Sequence, residues 1–292
     1  MKHTIQNERI SFTSDSFNVE PWELRFNDED VNYFWRPADL KKLGTAVCFP
    51  LLGTVPDNKY TLDGKEYAMP MHGFAQDREF IVSEKTETRI SYELTDDEET
   101  YRQYPRHFNF RLTYYVEGES LKTEYRVENR DTRELFFSVG GHPRYNCPIG
   151  EGTCFEDYRI EFEKSESITN IVKAYGPISE IEKCFSADGK QIKLDYCMFT
   201  KGCFCFSNYN SQELCLKNDK NGRGIRINLG GADHLQFWTQ PGSPFLAIEP
   251  FFGSISSLPC KEIDGDWVHK PGSLHIQPGE VYVCTHSVRP LR

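Results

Sequence analysis

"FNFRLTYYVEGESLKTEYRV", Phe108 to Val127, alternates apolar and polar side chains on both sides of a short polar turn. Phe108, Phe110, Leu112, Tyr114 and Val116 share one parity, and Asn109, Arg111, Thr113 and Tyr115 share the other. After "EGES" the pattern resumes, with Leu121, Thr123, Tyr125 and Val127 set against Lys122, Glu124 and Arg126. A period of two sends successive side chains to opposite faces of a strand, so this stretch reads as an antiparallel hairpin with one buried face. The same reading spreads outward. "YTLDGKEYAM" (Tyr60–Met69) and "FSADGKQIKLD" (Phe185–Asp195) predict hairpins, because Asp63-Gly64 and Asp188-Gly189 suit the positive φ angles of tight turns. "GIRINLGG" and "VYVCTHSV" are further strand signals.

Helix signals are sparse. "RPADLKKLG" (Arg36–Gly44) predicts one short helix, with Pro37 near its start and Gly44 at its end. The acidic run "TDDEET" (Thr95–Thr100) reads as a solvated loop. No repeat, low-complexity tract or Pro/Gly/Ser-rich linker divides the chain. The expectation is one all-β domain over residues 1–292, a large antiparallel β-sandwich with few short helices.

Composition narrows the function classes. The chain has 292 residues, 38% hydrophobic and 27% charged, which suits a packed globular protein. Its formal net charge of −10, with no local Lys/Arg cluster, argues against nucleic acid as a partner. No apolar run approaches the roughly 20 residues that span a bilayer, so no membrane is expected. The start "MKHTIQNERI" lacks the apolar centre of a signal peptide, which makes the cytoplasm the expected location. Ten cysteines are present, at 48, 147, 154, 184, 197, 203, 205, 215, 260 and 284, without a CxxC pair. They are expected to be reduced, buried and structural.

Three stretches combine acid–base groups with turn chemistry. His72 lies on a bend in "PMHGFAQDREF". His142 follows two glycines in "SVGGHPRYN", and Pro143 biases it toward an extended backbone. Glu249 follows the apolar strand "FLAI" and precedes proline and two rings. A carboxylate in such company must be paired, hydrogen-bonded or functional. Taken singly, each has a structural reading: a turn residue, a strand-end histidine, a satisfied carboxylate. Together they supply a general base and a general acid. His234 leads the strand "LQFW" and reads as structural. The histidine spacings match neither HxH nor HExxH, so no metal is expected, and no P-loop, GxGxxG or GxSxG occurs.

In this order the stretches resemble the aldose 1-epimerase (galactose mutarotase-like) family. "CFPLLGTVPDNKYTLDGKEYAMPMHGFAQDREF", "YPRHFNFRLTYYV", "GGHPRYN" and "FLAIEPFFG" carry the likeness, which runs from about Trp35 to the C-terminus. The resemblance implies a supersandwich with a sugar cleft on one concave sheet, a monosaccharide substrate and no cofactor. It implies Glu249 as general base, His142 as general acid and His72 as a substrate ligand. Phe74 and Trp238 are then the rings that pack on the sugar's C–H face. Two departures stand out: Thr54 and Gly202 occupy positions where the family places sugar-contacting arginine and acidic side chains. Gln76 replaces an arginine found in the sugar-phosphate branch, leaving Arg78 and Arg144 as the cations a hexose-6-phosphate epimerase would need. The alternatives to a free-hexose mutarotase are such a phosphate enzyme and a non-catalytic carbohydrate-binding or sensing protein. A glycosidase would need a second well-placed carboxylate.

Overall fold

The structure is a computed structural model describing residues 1–36, 46–174, 177–255 and 271–292. Strands Phe108–Glu117 and Ser120–Asn129 pair antiparallel in unbroken register and close on the two-residue Gly118-Glu119 loop. The alternating set Phe108, Phe110, Leu112, Tyr114 and Val116 is buried throughout.

This hairpin lies within a nine-stranded antiparallel sheet. Its order is Gln191–Lys193, Arg159–Phe162, Glu213–Lys217, Gly224–Asn228, Val281–Leu291, Ser120–Asn129, Phe108–Glu117, Arg89–Thr95 and Ile81–Lys85. A seven-stranded sheet packs against it, in the order Ile171–Ala174, Phe204–Ser207, His234–Trp238, Phe245–Phe252, Val139–Gly141 and Val47–Cys48; Arg144–Asn146 also pairs with Phe245–Phe252. A three-stranded N-terminal sheet, Lys2–Gln6, Ile10–Asp15 and Pro21–Phe26, adds Ile5, Phe12 and Leu24 to the same core. The core is dense in rings. Phe49 meets Phe74, Phe108, Phe110 and Phe137 at centroid distances of 4.6 to 6.1 Å. Burying one such ring stabilises the fold by about 1.5–3 kcal/mol.

Strand parity decides what the seven-stranded sheet presents. Phe204, Phe206, Leu235, Phe237, Leu246, Ile248 and Phe252 enter the large core. The alternate residues, among them Gln236, Trp238, Arg144 and Glu249, occupy the other face, beside a small separate cluster of Cys48, Leu52, Cys205, Phe251 and Ile255.

Some expectations change. The acidic run is not a loop: it starts a helix, Glu98–Gln103. Asp97 caps it, accepting from the Thr100 N–H at 2.7 Å while the Thr100 hydroxyl accepts from the Asp97 N–H at 2.8 Å. Glu98 and Glu99 then stand at the positive end of the helix dipole. The hairpin at Tyr60–Met69 forms, with Asp63 at φ +52° and Gly64 at φ +73°. At Phe185–Asp195 only Gln191–Lys193 is a strand, and one bridge, Phe185↔Ile192, crosses the turn. The upstream arm instead closes the helix Ile178–Glu182, with the Phe185 N–H donating to the Glu182 carbonyl. No disulfide forms among the described residues, and Cys154 is exposed while Cys184, Cys197, Cys203 and Cys215 are only partly covered. Cys260 and the helix expected at Arg36–Gly44, beyond Arg36, lie outside the described residues.

Candidate active site

Glu249 sits inside its strand rather than at its end, because pairing continues to Phe252. It is fully buried. The partner ladder explains how a proline can follow it. Arg144–Asn146 pairs with Phe245–Ala247, and Val139-Gly140 pairs with Phe251-Phe252, leaving a gap opposite His142-Pro143. Pro250, which has no N–H to give, stands at that gap. The Gln236 carboxamide, on the next strand, donates to Glu249 Oε2 at 3.1 Å, and its oxygen accepts from the Cys203 thiol at 3.4 Å.

The same gap frees His142 to turn inward. Its backbone N–H donates to the Ala46 carbonyl at 2.9 Å, and its Nε2 lies 3.5 Å from Glu249 Oε2. The preceding glycines are steric requirements. A Cβ on Gly140 would lie 2.6 Å from the Phe251 ring, and one on Gly141 would lie 2.5 Å from the Tyr125 hydroxyl. Trp238 meets the His142 ring edge-on, with centroids 5.5 Å apart, and is backed by Phe245 at 5.3 Å. Burial pushes the His142 pKa well below its ordinary 6.5, and the charge of Arg144 pushes it the same way. Desolvation and the guanidinium outweigh the carboxylate.

His72 and Gly73 both have left-handed backbones, at φ +65° and +76°. For Gly73 this is obligatory, since a Cβ there would lie 2.1 Å from the Phe49 carbonyl oxygen. The Gln76 side chain braces the bend by donating to the Met71 and Gly73 carbonyls. His72 Nδ1 accepts from the Gly53 N–H at 3.1 Å. That bond selects a neutral ring with its proton on Nε2. The His72 and His142 rings are 5.7 Å apart. The structure thus brings Glu249, His142, His72 and Trp238 together. Phe74 is a correction: it is buried between the sheets against Phe49, Tyr104 and Phe108, so its face is spent on the core.

Thr54 is exposed, and Gly202 carries no side chain next to Cys203. Arg78 pairs with Glu99 at 2.8 Å, and Arg144 pairs with Glu20 at 3.6 Å, so both cations weighed for a phosphate face carboxylates. His234 is buried on the Gln236 and Trp238 side of its strand. No cluster of three or more His, Cys, Asp or Glu among the described residues is arranged around a metal position. Sequence reading passed over Gln236 and Glu20. The signal for Gln236 was its parity with Trp238 in "HLQFW"; nothing local marks Glu20.

Against known proteins, residues 23–289 match the profile of the family described as aldose 1-epimerase. The chromosomal protein LacX of Lactococcus lactis subsp. lactis is 29% identical over 269 residues, 87% of this chain and 88% of that one. A galactose mutarotase related enzyme from Lactobacillus acidophilus superimposes with a TM-score of 0.86 at 24% identity, over 99% of this chain and 97% of that one. A galactose mutarotase-like protein from Lactobacillus casei does so with a TM-score of 0.81 at 22% identity, over 99% and 100%. These solved structures share the fold.

Proposed function

The chain belongs to the aldose 1-epimerase family, and we propose that it is a mutarotase, interconverting the α and β anomers of a free hexose by acid–base ring opening. The observation that carries this reading is the 3.5 Å approach of His142 Nε2 to Glu249 Oε2, between two side chains from distant parts of the sequence. Glu249 takes the proton of the anomeric hydroxyl. His142, in its protonated form, gives a proton to the ring oxygen, the C1–O5 bond breaks and the open aldehyde forms. Rotation about C1–C2 and closure on the other face, with both protons returned, yields the other anomer. Gln236 holds the carboxylate in place, the His72 Nε2–H is a donor for a sugar oxygen, and Trp238 offers a face for sugar carbon. Each acid–base partner typically contributes ~10²–10⁴-fold.

The test is polarimetric decay of fresh α-D-glucose, α-D-galactose and a wider aldose panel, with wild type against Glu249→Gln. Acceleration of at least one sugar by wild type and not by the variant is expected; identical decay for both proteins on every sugar defeats the proposal. A non-catalytic sugar-binding protein is the second reading, favoured by the missing side chain at Gly202 and the neutral state imposed on His142. Saturable calorimetric binding with no acceleration would select it. A phosphorylated substrate is disfavoured by the carboxylates that face Arg78 and Arg144.

A further inference from the structure

Behind the Glu249–His142 pair lies a second buried pair. Arg144 and Glu20 are both almost fully covered, with Arg144 Nη1 3.6 Å from Glu20 Oε1. Arg144 stands opposite Ala247, on the same face as Glu249 and one pleat away. Such diagonal neighbours are roughly 7–8 Å apart, within reach of a long side chain. Glu20 lies in the connection between Ile10–Asp15 and Pro21–Phe26 of the N-terminal sheet and precedes residue 23, where the family match begins.

The turn that delivers Glu20 is strained. Asn18 and Val19 have φ of +60° and +51°, and a β-branched residue in the left-handed region is a rarity that costs about 1–3 kcal/mol. Neighbours hold it there. The Asn18 N–H donates to the Arg78 carbonyl at 2.8 Å, and the Val19 carbonyl accepts from the Tyr114 hydroxyl at 2.8 Å. The Asn18 amide oxygen accepts from the Ala46 N–H at 3.1 Å, and its nitrogen donates to Glu20 Oε2 at 3.3 Å. The Ala46 carbonyl is the group that accepts from the His142 N–H. The turn therefore reaches His142 twice, through the backbone of one residue, Ala46, and through one guanidinium.

We propose that Glu20 and Arg144 are a positioning pair that sets the charge on Glu249 and His142, with Arg144 as a cation placed between two carboxylates. This rests on the mutarotase reading for its meaning but not for its test. Among the described residues, the ionisable groups facing these four include His72 beside His142, Cys48 beside Arg144 and Glu249, and Asp15 and Tyr114 beside Glu20. Arg144 disfavours a second positive charge on His142 and favours the carboxylate of Glu249. Burial raises the Glu20 pKa to about 7 despite Arg144, so near neutrality Glu20 decides how much of the guanidinium field is cancelled.

The experiment is an NMR titration of isotopically labelled His142 in full-length wild type, Arg144→Gln, Arg144→Lys and Glu20→Gln, alongside the pH profile of kcat/KM for aldose mutarotation. Arg144→Gln should raise the His142 pKa by about one unit or more, moving both limbs of the profile to higher pH. Arg144→Lys, which keeps the charge, should restore the wild-type values. Glu20→Gln, neutral at every pH, should leave the His142 pKa near wild type, because Glu20 is already protonated there, and should abolish a second inflection of the His142 shifts near pH 7, where Glu20 ionises. If Arg144→Gln does not fold, Glu20→Gln and Arg144→Lys decide the matter. A His142 pKa within a few tenths of wild type in Arg144→Gln, or an inflection of the His142 shifts near pH 7 that survives Glu20→Gln, overturns the proposal. Absence of mutarotation with the predicted His142 shifts would sink the mutarotase reading and leave the pair's electrostatic role standing.

Discussion

Glu249 reaches its position because one face of its strand is apolar core and the other is not. Replacing it by Gln keeps the volume and the strand but removes the base, so kcat for the preferred aldose should fall about 10²–10⁴-fold while the urea midpoint stays near wild type. Gly73 is the opposite kind of residue, one whose importance is purely geometric. Gly73→Ala combines a left-handed φ with a Cβ overlapping the Phe49 carbonyl, and should cost at least about 2 kcal/mol in chemical denaturation. At this scale the sequence showed which residue types carry chemistry, through their conflict with their surroundings: a carboxylate among rings, a histidine before glycine on a bend. It misassigned Phe74, because sequence proximity to His72 says nothing about which side of the bend a ring takes.

Two elements show what local signals do and do not carry. The capping box at Asp97 and Thr100 was present in the letters, yet the density of acids suggested a loop. Asp97→Ala should destabilise the helix Glu98–Gln103 by about 1 kcal/mol, read as a shift in the thermal midpoint. The strand His234–Trp238 places Gln236 on the Glu249 face by parity alone. Gln236→Leu removes the donor to Glu249, and a fall of about tenfold or more in kcat with an unchanged KM is the expected signature of a lost orienting bond. An unchanged kcat would mean that the carboxylate is oriented by other contacts.

Across the whole molecule, buried ionisable groups tie stability to pH. His286, on the last strand, lies 3.1 Å from the Tyr125 hydroxyl beneath the glycines of the His142 loop. Burial lowers its pKa from 6.5 to about 4. A histidine whose folded pKa is depressed stabilises the fold above pH 6.5, and that contribution disappears as pH falls toward 4; for His286 it is on the order of 3 kcal/mol. His142 acts in the same direction. Glu20 acts in the other: its pKa rises from 4.5 to about 7, so its contribution is full below 4.5 and is lost as pH climbs through 7. Urea midpoints at pH 7 and pH 4.5 should therefore differ more for wild type than for His286→Phe; an equal drop in both proteins would show that His286 is not a source of the acid sensitivity.

The letters of this chain determined the β architecture, because alternation, turn dipeptides and strand-forming side chains act over a few residues and need no partner to be read. They also determined the kinds of group available for catalysis. What only the tertiary structure decided is which of those groups meet and in what state of charge. The Glu249–His142 approach and the Glu20–Arg144 pair depend on a broken ladder, a strained turn and the exclusion of water. Each arises from contacts between segments far apart in sequence, and the desolvation that makes His142 neutral exists only once those segments have closed over it.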